Sequence, residues 1–130
     1  MIVLGDEHSV SNSAFSKVKA LVSDTARMGG ADRYATSKLT AEWALKNGFT
    51  CKSPAFTAGR NGKFADALVA SSLGGRSKSV LLLVDEGATG SACVGGVLVP
   101  NKSQAETVYV LGDKYTVSDA MYKSIKKAVS

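Results

Sequence analysis

The sequence predicts an α/β fold, a three-layer α/β/α sandwich on a mainly parallel sheet, and three observations carry that prediction. Short apolar runs alternate with segments of helical periodicity along the whole chain, the pattern left by βαβ units. The most apolar run, SVLLLV at residues 79–84, has no polar alternation, as expected of a strand covered by helices on both faces. Residues 1–22 also return as residues 108–129. MIVLGDEHSVSNSAFSKVKALV lies over VYVLGDKYTVSDAMYKSIKKAV without a gap, and eight of the 22 positions are identical. A chain that ends on the segment with which it begins reads as one period of a tandem array. Repeats usually mean binding by repetition rather than one active site.

Each copy of the repeated unit reads as a short strand, a Gly-Asp turn and an amphipathic helix, with Ser11 or Ser118 as the N-cap. In the second copy Met121, Ile125 and Ala128 form the apolar stripe, and Lys123, Lys126 and Lys127 face water. Gly29-Gly30 marks a turn. A longer helix follows from about Asp32, with Tyr34, Ala35, Leu39, Trp43 and Leu45 on a broad apolar side and Gly48 as its stop. Pro54–Ala58 is a short strand that empties into the loop Gly59-Arg60-Asn61-Gly62-Lys63. A helix from Phe64 to about Leu73 closes on Gly74-Gly75. After the strand at 79–84 comes a turn. Ser91 to Pro100 then reads as a loose or broken helix, because Gly95-Gly96 weakens it. No linker divides the chain. Residues 27–130 form one module, and residues 1–26 are the closing strand–helix unit of a preceding repeat or an extra edge unit.

The bulk numbers suit a globular domain: 130 residues, 45% apolar and 21% charged. No apolar run is long enough to span a bilayer, so no membrane contact is expected. Met1 stands where the second copy has Val108, inside a strand, so the lack of a leader is compatible with secretion. A net charge of +5 favours anionic partners, but the lysines and arginines are dispersed rather than interleaved with aromatics. That argues against a nucleic-acid module and for an anionic polymer touched at several points. Cys51 and Cys93 lack metal-ligand spacing; whether they pair is open at this stage.

Catalytic signatures are sparse. His8 is the only histidine, and its counterpart in the second copy is Tyr115, which removes histidine-based triads and histidine-rich metal sites. No nucleophile elbow, dinucleotide fingerprint or phosphate-binding P-loop occurs. No cofactor and no metal are expected. The competing reading is a small α/β metal-dependent phosphotransferase or hydrolase using Asp85, Glu86 and Asp66.

The loop Gly59–Lys63 is the stronger candidate site. It leaves the carboxyl end of a strand and opens a helix, where ligands bind in open α/β sheets. Free N–H groups and the positive end of the helix dipole attract an anion there. Gly59 and Gly62 permit close backbone approach, Asn61 adds an amide, and Arg60 and Lys63 add charge. Arg27 and Asp32-Arg33-Tyr34 form a second polar cluster, in which Asp32 caps the long helix and Arg33 could pair with Asp66 or another carboxylate near the strand ends. These residues read as bracing.

Several of these segments together resemble a known pattern. Arg27-Met-Gly-Gly-Ala-Asp32-Arg33-Tyr34-Ala-Thr36-Ser, Thr57-Ala-Gly-Arg-Asn-Gly-Lys-Phe64-Ala65-Asp66-Ala67-Leu68, Val80–Leu83 and the closing Val108-Tyr-Val-Leu-Gly112 with Val117-Ser118 resemble the cell wall binding repeat 2 family. Ala65, Asp113 and Ser79-Val80 depart from it, at turns and at strand entry. The resemblance implies a secreted or cell-surface protein of a Gram-positive bacterium and a toprim-like fold without toprim catalysis. It implies modules that pack in threes and hold their parent to an anionic cell-wall polysaccharide or teichoic-acid-like polymer. Leu81, Leu82 and Leu83 lie in the segment implicated in anchoring. Neighbouring modules of the same type are then the natural partners, and a homotrimer could replace them in a single module.

Overall fold

The computed structural model describes residues 1–62 and 65–130. In chain order the elements are β1 (Ile2–Leu4), α1 (Asn12–Leu21), β2 (Ala26–Met28), α2 (Arg33–Lys46), β3 (Thr50–Ala58), α3 (Ala65–Ser77), β4 (Ser79–Val84), α4 (Ala88–Cys93), β5 (Tyr109–Leu111) and α5 (Asp119–Val129). Between α4 and β5 the helix widens into a π segment (Val94–Leu98) and then tightens into a 3-10 segment (Val99–Gln104). All strand pairs among the described residues are parallel, in two sheets: β1-β2 alone, and β4-β3-β5.

The core belongs to the larger sheet. Phe56, Ala58, Val80, Leu82 and Val84 meet Ala41 of α2, Cys93, Val94, Val97 and Leu98, and Met121 and Ile125 of α5. Side chains alternate along a strand, so Ala55 and Thr57 of β3 face the other way, toward α3 with its buried Ala70 and Gly74. The expected α/β layering is present, with α2, α4 and α5 on one face of the sheet and α3 on the other.

Four details differ from the sequence reading. β2 is a strand where only a turn at Gly29-Gly30 was expected. β3 starts at Thr50, and its register with β4 shifts between Thr50 and Ala55, so the bulge absorbs Pro54, which has no N–H to give. α3 continues past Gly74-Gly75 to Ser77, because Gly74 lets the helix lie against Ser79, whose carbonyl is 3.1 Å from where a Cβ would stand. On α2, Leu39 and Trp43 are 42% and 39% exposed, so the apolar side is not wholly core-facing.

Candidate ligand-binding site

Sheet order fixes where a ligand can approach. β3 is central, which places the switch point of the sheet at the carboxyl ends of β3 and β5. The crevice there is narrow, about 10 Å³, and is lined by Arg60, Asp85 and Thr116 among others. One lip is the loop Gly59–Gly62 and the other is the turn from Gly112 to Thr116. Lys63, predicted as part of the first lip, lies outside the described residues.

Arg60 bridges the lips. Its Nη2 donates to the carbonyls of Thr116 at 2.9 Å and Tyr115 at 3.4 Å, and its Nε lies 3.8 Å from Asp85 Oδ1. The guanidinium therefore ties the loop to the closing turn while much of the side chain stays in solvent. Asp85, at the end of β4, also accepts the Tyr34 hydroxyl at 3.0 Å. Burial, reinforced by that bond to a carboxylate, pushes the Tyr34 phenol up to about 12.

Gly59 is buried under Tyr34. A Cβ here would stand 2.6 Å from the Tyr34 ring, so only glycine lets the strand end pass beneath it. The Gly59 N–H donates to Val84 O at 3.3 Å, and its carbonyl accepts from Arg33 Nη1 at 2.7 Å. Arg33 thus braces the loop through its backbone, and no Arg33–Asp66 ion pair is present among the described residues. Asp66 stands in the first turn of α3, where the helix dipole favours a carboxylate, with Oδ2 facing Gly112. Asp32 caps α2 by accepting the Ala35 N–H at 2.7 Å, and that bond holds its carboxyl below the usual range. Asn61 and Gly62 are exposed at the loop tip, Gly62 with a φ of 74°.

Other predicted residues fall elsewhere. Arg27 is not at the crevice but clamps the turn of the first repeated unit, donating to Gly5 O and Val10 O at 3.1 and 2.7 Å. Leu82 is core, whereas Leu81 and Leu83 are half-buried and line a cleft of about 1030 Å³ between α2, α3 and the turn after β1. Trp43 and Phe49 also line it, each more than a third exposed. Sequence reasoning missed this cleft because Trp43 reads as core on a helical face; its one signal was an aromatic beside small residues. Glu86 is exposed. Among the described residues no group of three or more histidine, cysteine or acidic side chains could hold a metal ion. Cys51 and Cys93 are buried free thiols, each pushed up by burial, Cys93 to about 11.

This is an α/β domain with a polar crevice at the switch point of its sheet and an apolar cleft beside an edge strand. Residues 27–122 match the family model described as cell wall binding domain 2, and the chain belongs to that family. Among solved structures it is similar to Cwp6 from Clostridium difficile, at 28% identity and a TM-score of 0.80. That match covers 98% of this chain but only 19% of that one, so this chain spans a small part of its relative's length. A comparison with curated proteins gives no match. Family and structural match together support a cell-wall binding role and a wall-associated location. No helix among the described residues is long and apolar enough to cross a membrane.

Proposed function

We propose that the chain is a non-enzymatic module anchoring its parent protein to an anionic polymer of the Gram-positive cell wall, a polysaccharide or a teichoic-acid-like chain. Membership of the cell wall binding domain 2 family carries this reading. The net charge of +5 and the basic loop at the crevice agree with it. Polymer anions would meet the N–H groups of Asn61 and Gly62 at the loop tip, the Asn61 amide, the outer face of Arg60, and Lys63, while Gly59, with its N–H on Val84 O, shapes the loop. Arg33, Tyr34, Asp32 and Asp66 keep that loop in place. The cleft supplies a second contact, where sugar rings can lie against Trp43 and Phe49. Residues 27–130 are the module, and residues 1–26 are the closing unit of a preceding repeat. A single weak site becomes firm anchoring when modules act together, whether in an array or as a homotrimer.

Retention on purified cell walls at low salt tests the reading. Retention is expected, and reversing both charges (R60E with K63E) should lower it about tenfold or more. Equal retention of the charge-reversed chain would falsify the placement at this loop. Trp43 is the only tryptophan. Its fluorescence should shift on polymer binding if the cleft takes part. The hydrolase or phosphotransferase reading requires a divalent ion near Asp85, Glu86 and Asp66, yet Asp85 is engaged by Tyr34 and Arg60. Calorimetry with magnesium or manganese is expected to give no binding heat.

A further inference from the structure

The repeated unit has two flanks, and this chain displays each of them once. In a parallel strand, alternate residues turn their backbone groups to opposite edges. In β1 the odd residues face β2: Ala26 N–H donates to Met1 O at 3.0 Å and Gly5 N–H donates to Met28 O at 2.7 Å. In β5 the Thr107 N–H donates to Lys52 O at 3.1 Å on the β3 side, so Tyr109 and Leu111 face β3 as well. Val108, Val110 and Gly112 then face the opposite edge, which has no strand on it among the described residues. These are the residues that align with Met1, Val3 and Gly5. One copy therefore uses the edge that the other leaves open.

We propose that the open edge of β5 is the seat of β2 from the next copy of this module in an array. Consecutive modules would then share one parallel sheet of order β4-β3-β5-β2. The register follows from β1, in which Ile2, Val3 and Leu4 pair with Ala26, Arg27 and Met28. Tyr109, Val110 and Leu111 take those places against the incoming strand.

The side chains around the edge support the same seat. Arg27 holds the first copy through Gly5 O, Val10 O and Asn12 Oδ1, with its guanidinium 4.6 Å over the Phe15 ring. The corresponding groups in the second copy are Gly112 O, Val117 O, Asp119 and Tyr122. The Asn12 position has become an acid, which suits an arginine better. Tyr122 is 51% exposed, with no cation over its ring among the described residues. The site is also compatible with the module's own clamp, since Arg60 takes Tyr115 O and Thr116 O and leaves the other two carbonyls alone. Seen from the first copy, the missing half is the converse. No residue of α1 is buried, and Ala14 and Val18 occupy the positions of Met121 and Ile125, which α5 packs into the core.

This inference rests on reading the chain as one repeat of an array, and not on which polymer it binds. In the intact chain β1 already covers β2, so the joint is closed to a second molecule. Val3→Pro removes a donor facing β2 and should release it, giving concentration-dependent, head-to-tail association by light scattering. Adding Val110→Pro deletes a donor on the open edge, and Asp119→Arg repels the incoming Arg27; each should weaken association about tenfold or more. Asp119 is exposed, so that change leaves the fold intact even if the proline does not. Ala26→Cys with Tyr109→Cys in the Val3→Pro chain should form intermolecular disulfides on mild oxidation, fixing the register. A Val3→Pro chain that stays monomeric, or associates equally with Asp119→Arg, overturns the proposal. Wall retention is a separate readout, so a failed joint and a failed binding site are distinguishable.

Discussion

In both copies of the repeated unit a three-residue strand runs into a glycine of positive φ, 112° at Gly5 and 118° at Gly112. In both, a serine then caps the helix, Ser11 Oγ accepting the Ala14 N–H and Ser118 Oγ the Met121 N–H, each at 3.2 Å. Their surroundings differ. Met121 and Ile125 are 5% and 2% exposed, while α1 buries nothing and Leu21 is 86% exposed. Local sequence is sufficient to write the unit twice; the partner surface decides whether it joins a core. Composition follows that difference, with Ala14 standing where the buried copy has Met121.

The comparison can be broken most forcefully through the helices. Ile125→Ala should cost about 2–5 kcal/mol, the range for a buried aliphatic truncated to alanine, read from denaturant midpoints. Val18→Ala, at the matching position of α1, should stay within about 0.5 kcal/mol. Equal costs would mean that the two copies are packed alike. The clamping arginines give a smaller contrast. Arg60→Ala should lower global stability by about 1 kcal/mol, since its bonds to the closing turn are half-exposed. Arg27→Ala should leave the core's midpoint unchanged and instead speed amide exchange throughout residues 1–22.

Titration separates the copies further. Cys93, in the core that holds the second copy, is raised from 9.0 to about 11 by burial. A group whose folded value lies above its unfolded one contributes stability that is complete below pH 9 and declines toward pH 11. Tyr34, raised to about 12, adds a similar loss above pH 10. Unfolding midpoints should therefore fall on the alkaline side, and Cys93→Ala should flatten the first part of that fall. At the acid end Asp6 of the first copy and Asp32 at the cap of α2 both respond, each held below its ordinary value by a backbone N–H. The Ser9 N–H holds the Asp6 carboxyl below 3.8, so its contribution is present above that value and lost as pH drops through the lower folded one. Exchange at the Ser9 and Ala35 amides should rise there.

The layered α/β fold and the Gly59 loop were legible because periodicity, caps and glycine pairs are local signals. Ser11, Asp32 and Ser118 cap the helices they were expected to cap. β2 was not legible, since three residues carry no periodicity and its partner is a strand 24 residues away. The π segment after Cys93 was partly legible as a broken helix at Gly95-Gly96. Within the candidate site, sequence placed Arg60 on the loop after β3 but not its bonds to Tyr115 and Thr116, which depend on β5 lying beside β3. Arg27 and Arg33 looked like one cluster, yet α2 carries Arg33 to the crevice while β2 leaves Arg27 with the first copy.

Residue-resolved amide hydrogen exchange on the intact chain tests the central contrast most directly. The two flanks of the repeated strand should give complementary patterns. Val3 and Gly5 should be protected and Leu4 open in the first copy, while Tyr109 and Leu111 should be protected and Val110 and Gly112 open in the second. Protection at the same aligned positions in both copies would mean that β1 and β5 use the same edge, and the shared-sheet account would be wrong.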